Sequence, residues 1–164
     1  MENKMKKYEF TGETITIGKR TLHRIRAVRD FGDVKAGDIG GWIEKEENLS
    51  HEGDCWVRDN AKVYGTATVG GSAKVCDDAT VGDSAKVCDD AIVEDSAKVC
   101  DNAIVCNYAM VCDNAIVGGS AIVRDDATVG DSATVRDSAI VCDDALVCDD
   151  ATVGGTTIVG DGVK

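Results

Sequence analysis

From position 57 to position 159 every sixth residue is valine, eighteen in succession. Four residues after each valine stands alanine, at all sixteen positions from Ala61 to Ala151, followed by Thr157. Two residues after each valine stands only Asp, Gly or Asn, at all eighteen positions from Asp59 to Asp161. The repeat reads V-x-[DGN]-x-A-x, as in VCDDAT and VRDSAI. A period of six fits neither the ~3.6-residue turn of an α-helix nor the longer strands of a hairpin array. Alanine and the following valine are two apart, so in an extended segment they face the same way and the residue between them faces outward. Asp, Gly and Asn tolerate positive φ best, which marks their position as a corner. Four residues of strand and a two-residue corner make one side of a prism, and three sides make one coil. Eighteen repeats then give six coils, a shaft of about 29 Å at roughly 4.8 Å per stacked strand.

Composition agrees with a core of small aliphatic residues. Aromatic residues are 4 % of the chain, yet 43 % is hydrophobic, which argues against disorder. No stretch approaches the length of a membrane span, and Met1–Tyr8 is polar with no apolar segment behind it. Neither a signal peptide nor a membrane partner is expected, and a cytoplasmic location is the default. The net charge of −12 is unevenly spread: residues 1–50 carry ten Lys/Arg and nine Asp/Glu, and residues 51–164 carry eight and twenty-one. Such an acidic body repels nucleic acid and acidic membrane surfaces, so direct nucleic-acid binding is not expected.

Ahead of the repeats, Lys7–Phe10, Thr14–Ile17 and Thr21–Val28 read as strands, with a Gly18-Lys19 turn between the last two. Residues 1–36 are read as an N-terminal β-hairpin domain, 37–54 as an irregular first coil or cap, and 55–164 as the repeat shaft. A cap is needed because a β-helix exposes an open edge at each end. Val159–Lys164 offers nothing comparable, so a second subunit is expected there.

The repeat resembles the hexapeptide family of left-handed parallel β-helices, over residues 55–161. The expected fold is therefore all-β, a left-handed parallel β-helix with an N-terminal hairpin cap. The left-handed winding is implied by the resemblance, since general crossover rules favour the opposite hand. The segment from KYEFTGETITI to GDIGGWIEKEENLS resembles the front end of repeat proteins from bacterial genomes, prophages and phages, which generally lack an assigned activity. Enzymes of the hexapeptide family are commonly acyltransferases with a catalytic histidine. Here the two histidines, His23 and His51, precede the repeats, and no loop interrupts Val57–Val159. Acyl transfer thus rests on fold analogy, and no enzyme is expected.

Stacking by eighteen residues predicts which side chains share a surface. Asp59, Asp77, Asp95, Asp113, Asp131 and Asp149 form one acidic edge, and Asp89, Asp125, Asp143 and Asp161 belong to a second. Carboxylates every ~4.8 Å approach the ~3.4 Å phosphate spacing of a nucleic-acid strand. A phage-type inhibitor that blocks a basic or nucleic-acid-binding host protein is one reading; the plain alternative is that corners accept aspartate. Ile104, Ile122, Ile140 and Ile158 form an outward row that predicts self-association, as a dimer or trimer. Arg24 and Arg26 share one strand face, either as an anion site for a nucleotide or sugar at a subunit interface or as ion-pair partners of the acidic shaft. Seven of the eight cysteines follow a valine directly, and Cys88 stacks on Cys106 within disulfide range. There is no CxxC and no histidine nearby, so no zinc or other metal site is expected, and free thiols are. No cofactor is expected.

Overall fold

One corner residue per side fixes the architecture. In the structure, a computed structural model describing residues 6–160, the corners from Asp59 to Gly155 are thirteen Asp or Asn residues and four Gly, all with φ between 53° and 68°. Asp161 lies outside the described residues. Between corners run eighteen two-residue strands, from β4 (Trp56–Val57) to β21 (Ile158–Val159), one every six residues. They stack in parallel at intervals of eighteen, as in Ile92 on Met110, Lys98 on Ile116 and Ile104 on Ile122. The all-β parallel β-helix read from the repeat is thus the observed fold.

Three sheets form the faces of the prism. Two have six strands; the third has nine, because it also takes in β1 (Tyr8–Ile17), β2 (Arg20–Ala27) and β3 (Ile39–Ile43). The six regular coils follow an irregular one. In it Trp42 pairs in parallel with Lys62, Leu49 forms an isolated parallel bridge to Val69, and Cys55 bonds to Gly71. Counting this coil, the solenoid makes about seven turns. The runs Lys7–Phe10 and Thr14–Ile17 are a single strand, with a break in register between Phe10 and Thr14 where Gly12 takes φ 99°. A bulge absorbs the interruption that the sequence displays as two strands.

Main-chain ladders run through the corners as well as the strands. Arg58, Asn60 and Lys62 donate to the carbonyls of Val75, Asp77 and Ala79, at 2.9, 3.0 and 2.9 Å, and Ala61 closes the turn onto Arg58 at 3.1 Å. Inside, the valines and alanines from Val57 to Val141 are fully buried, a core no wider than these side chains need. Just outside the core, side chains lean onto the next coil, and glycine makes room for them. A methyl at Gly82 would lie 2.5 Å from the Tyr64 ring, and one at Gly118 or Gly130 3.3 Å from the sulfur of Cys100 or Cys112. That explains the Tyr64–Gly82–Cys100–Gly118–Arg136–Gly154 alternation along one column.

The first coil has no coil above it to donate to its carbonyls. The hairpin covers one face by antiparallel pairing of β2 with β3. Lys7, just ahead of β1, and Tyr8 at its start supply side-chain donors to the rest: fully buried Lys7 gives Nζ to the carbonyls of Cys55 (2.7 Å) and Gly53 (3.2 Å). The Tyr8 hydroxyl donates to Leu49 (2.7 Å) and is 3.0 Å from the Glu46 carbonyl. Within the irregular coil, Asn48 Nδ2 does the same for the next coil, donating to the carbonyls of Ala67 and Gly65 at 2.9 and 3.2 Å. Buried carbonyls left unmet cost free energy, so these side chains stand in for a missing strand. Tyr8→Phe should lower unfolding free energy by about 1–3 kcal/mol without altering the spectrum of the shaft. Urea titration followed by circular dichroism checks it, and an unchanged midpoint would contradict the capping role.

Candidate functional site

The isoleucine row predicted from stacking is present. Ile104, Ile122, Ile140 and Ile158 are paired in register on one flat face, the first three half-buried by their neighbours and Ile158 54 % exposed. One border of the face is the column Thr66, Ser84, Asn102, Ser120, Ser138, Thr156, and the other is Gly70, Cys88, Cys106, Arg124, Cys142, Gly160. Lys86 and Arg124 are the charged residues of the face, and it carries no carboxylate. Arg124 turns to the corner, where it bonds Asp125 at 3.1 Å. This carboxylate-free strip is exceptional in a chain with 30 Asp and Glu.

The acidic edge is also formed, and its carboxylates have a structural task. Asp59, Asp77, Asp95, Asp113 and Asp131 each accept the amide N–H of the aspartate one coil later, at 3.3, 3.3, 3.1, 3.0 and 3.0 Å, the last donor being Asp149. A second corner repeats the device through Asp89, Asn107, Asp125 and Asp143, at 3.0, 3.1 and 3.1 Å. At the start of the third corner Glu44 plays the same part for Gly65, at 2.8 Å. That amide, and then Arg20, hold the Glu44 carboxyl below its usual range. Sequence reasoning recognised aspartate as a corner residue but missed the ladder; recurrence of an acceptor-bearing side chain at eighteen-residue intervals was the available signal.

Arg24 and Arg26 turn to different neighbours. Arg24 lies over the Trp42 ring, 4.9 Å from its centre, and Arg26 is paired with Glu9. Among the described residues neither forms an ion pair with a shaft aspartate. The histidines are engaged too. His23 is stacked on Phe10 at 4.5 Å. His51 is stacked on Tyr8 at 4.1 Å, and its Nδ1 accepts the Lys7 amide at 3.2 Å. A neutral ring whose Nδ1 accepts carries its proton on Nε2, and that buried atom lies 3.9 Å from Glu46. Burial keeps His51 below its ordinary pKa, so at neutral pH it offers no free lone pair to a substrate.

All eight cysteines are free thiols. Burial, then the neighbouring aspartate, pushes Cys76, Cys88 and Cys112 up to about 11, which makes them poor nucleophiles at neutral pH. The Cys88 and Cys106 sulfurs lie within 4.8 Å of each other, on neighbouring coils as the stacking register places them. No helix among the described residues is long and apolar enough to cross a membrane.

Comparison with known proteins adds one relative. No family model matches the chain. A 49-residue stretch is 49 % identical to the uncharacterized acetyltransferase YdcK of Escherichia coli (strain K12). The match covers 29 % of this chain and 15 % of that protein.

The ladder makes a direct claim about the aspartates. Asp113→Asn keeps an acceptor for the Asp131 amide and should leave stability within about 0.5 kcal/mol, or raise it by easing repulsion along the edge. Asp113→Ala loses the acceptor and places an ordinary side chain at positive φ, and should cost about 2 kcal/mol. Equal midpoints for the two variants in thermal or urea unfolding would refute the ladder.

Proposed function

We propose that the chain is a non-catalytic assembly scaffold whose isoleucine face packs against a second copy of itself, as a dimer or trimer. The observation that carries this reading is the coincidence on one face of four registered isoleucines with a complete lack of carboxylates. Contact between two acidic rods is favoured where like charge is least and apolar area is greatest. Threonine occupies the matching outward position at Thr68, Thr80, Thr128, Thr134 and Thr152, so strand propensity alone does not call for isoleucine. The alternative of an acidic rod that captures a basic or nucleic-acid-binding host protein has weaker support, because the ladder accounts for the aspartates without a partner.

Acyl transfer is the second reading, and the name of the partial relative favours it. Against it stands the chemistry of His51, whose Nδ1 lone pair is taken by the Lys7 amide, and the place of His23, stacked on Phe10 in the hairpin and not on the shaft.

Light scattering coupled to size exclusion tests the scaffold. The parent chain should run at a multiple of the monomer mass, Ile122→Lys and Ile140→Asp should run as folded monomers, and Thr134→Lys on the nine-stranded face should change nothing. A monomeric parent at high concentration, or an oligomer that survives both isoleucine substitutions, would remove the proposal. Calorimetric titration with acetyl-coenzyme A should give no binding heat; saturable binding would move the second reading to first place.

A further inference from the structure

Stacking brings together what linear spacing keeps apart. Cys88 and Cys106 are eighteen residues distant in sequence and occupy the same column on neighbouring coils. Their sulfurs and a carboxylate oxygen of Asp89 all lie within 4.8 Å of one another. We propose that Cys88, Cys106 and Asp89 form a site for one thiophilic divalent cation of the zinc type, bridging two coils.

Tetrahedral zinc with Zn–S bonds of about 2.3 Å needs its two sulfurs roughly 3.8 Å apart. Sulfurs within 4.8 Å of each other reach that separation by side-chain rotation, with no movement of the coils. The third donor is held in place: Asp89 Oδ2 lies 4.0 Å from the Cys88 sulfur and accepts the Asn107 amide at 3.0 Å and the Asn107 side-chain Nδ2 at 3.1 Å, so the ion would take the place of the Nδ2 contact. Support of this kind orients a ligating carboxylate. A fourth position is open to water, because Gly70 stands one coil before Cys88 and a methyl added there would meet nothing within 4 Å.

Two further features concern the surroundings. Asp89, Asp90, Asp125 and Asp126 line a shallow depression of about 540 Å³ at this corner, and their summed charge raises the local concentration of cations. Arg124, one coil beyond Cys106, is close enough for its charge to act on that thiol, and its bond to Asp125 at 3.1 Å offsets that charge. The other thiol–carboxylate groupings, such as Asp95–Cys112–Asp113 and Asp83–Cys100–Asp101, offer one sulfur apiece and recur wherever a cysteine follows a valine. The paired sulfurs set this site apart from that background. They are not catalytic groups; the ion would fasten adjacent coils and would be closed to redox chemistry while bound.

Titration of the full chain with cobalt(II), after reduction with a phosphine, reads sulfur ligation directly through the thiolate-to-cobalt charge-transfer absorption. The expected result is a band that saturates at one equivalent and is abolished by one equivalent of zinc. Cys88→Ser and Cys106→Ser should each lose the band, while Cys112→Ser and Cys148→Ser keep it; circular dichroism confirms that each variant retains the parent fold. Ile140→Asp should also keep it, which separates this site from the oligomer contact. Absence of the band at several equivalents, or its persistence in both Cys88→Ser and Cys106→Ser, would overturn the site. Should either serine variant misfold, the one-equivalent stoichiometry of the parent chain and its loss on alkylation of Cys88 and Cys106, mapped by mass spectrometry, decide the matter.

Discussion

A residue with positive φ at every sixth position is the constraint from which the rest of this molecule follows. Ordinary side chains resist that conformation by roughly 1–2 kcal/mol, and glycine accepts it only with a larger loss of chain entropy. Aspartate and asparagine tolerate it and bring a short acceptor besides. In the shaft the acceptor is used, since the carboxylate at one corner bonds the amide of the next corner along, as Asp95 does for Asp113. Two separate demands, a left-handed backbone and a partner for an amide, thus select the same residue. The acidity of the chain is in large part a by-product of its geometry.

That origin determines where charge sits. Carboxylates gather at the three vertices of the prism, while the flat faces are left to the residues between alanine and valine. Those positions are free of the corner's backbone demand and of the core's size limit, so their identity is open to other pressures. On two faces they mix lysine, threonine, isoleucine and larger residues; on the third, isoleucine takes over from Ile104 to Ile158. A face of this composition is compatible with the water-exposed acidic vertices beside it because the two are separated by columns free of carboxylate, mostly of small hydroxyl, thiol and glycine residues. Repulsion between two such rods is therefore smallest where their apolar rows meet.

How much of this was legible in the sequence depends on the kind of interaction. Val57–Val159 and Ala61–Ala151 announced the core, and the Asp/Gly/Asn position announced the corner, because both depend on residue type and spacing alone. Stacking by eighteen placed Ile104 over Ile122 and Cys88 beside Cys106 correctly for the same reason. The irregular first coil was legible as a coil but not in its construction. Lys7 and Tyr8 looked like the start of a strand, and their work as donors to Cys55, Gly53 and Leu49 depends on contacts across more than forty residues. The partners of Arg24 and Arg26 were misjudged because aromatic and acidic neighbours within the hairpin region, Trp42 and Glu9, lie closer than the shaft. The glycines at 82, 118 and 130 gave no local signal, since each answers to a side chain one coil earlier.

In a solenoid the repeat explains itself, so information about function has to reside in departures from it. A valine, an alanine or a corner aspartate is required by every coil and distinguishes none. The positions that vary between coils are chosen one at a time, and most of them settle on small or polar residues that the surface accepts without consequence. Two groups break that pattern in a correlated way: four isoleucines in succession on one face, and two cysteines in succession in one column. Independent drift would scatter such residues among the three columns, as it does the lysines at 62, 74, 86 and 98. Adjacency along the stacking axis matters because only residues eighteen apart touch, so a cluster there is a contact in space and not a coincidence of composition. The shaft is best regarded as a ruler that converts an eighteen-residue interval into one strand spacing, and the correlated departures are the marks placed on it.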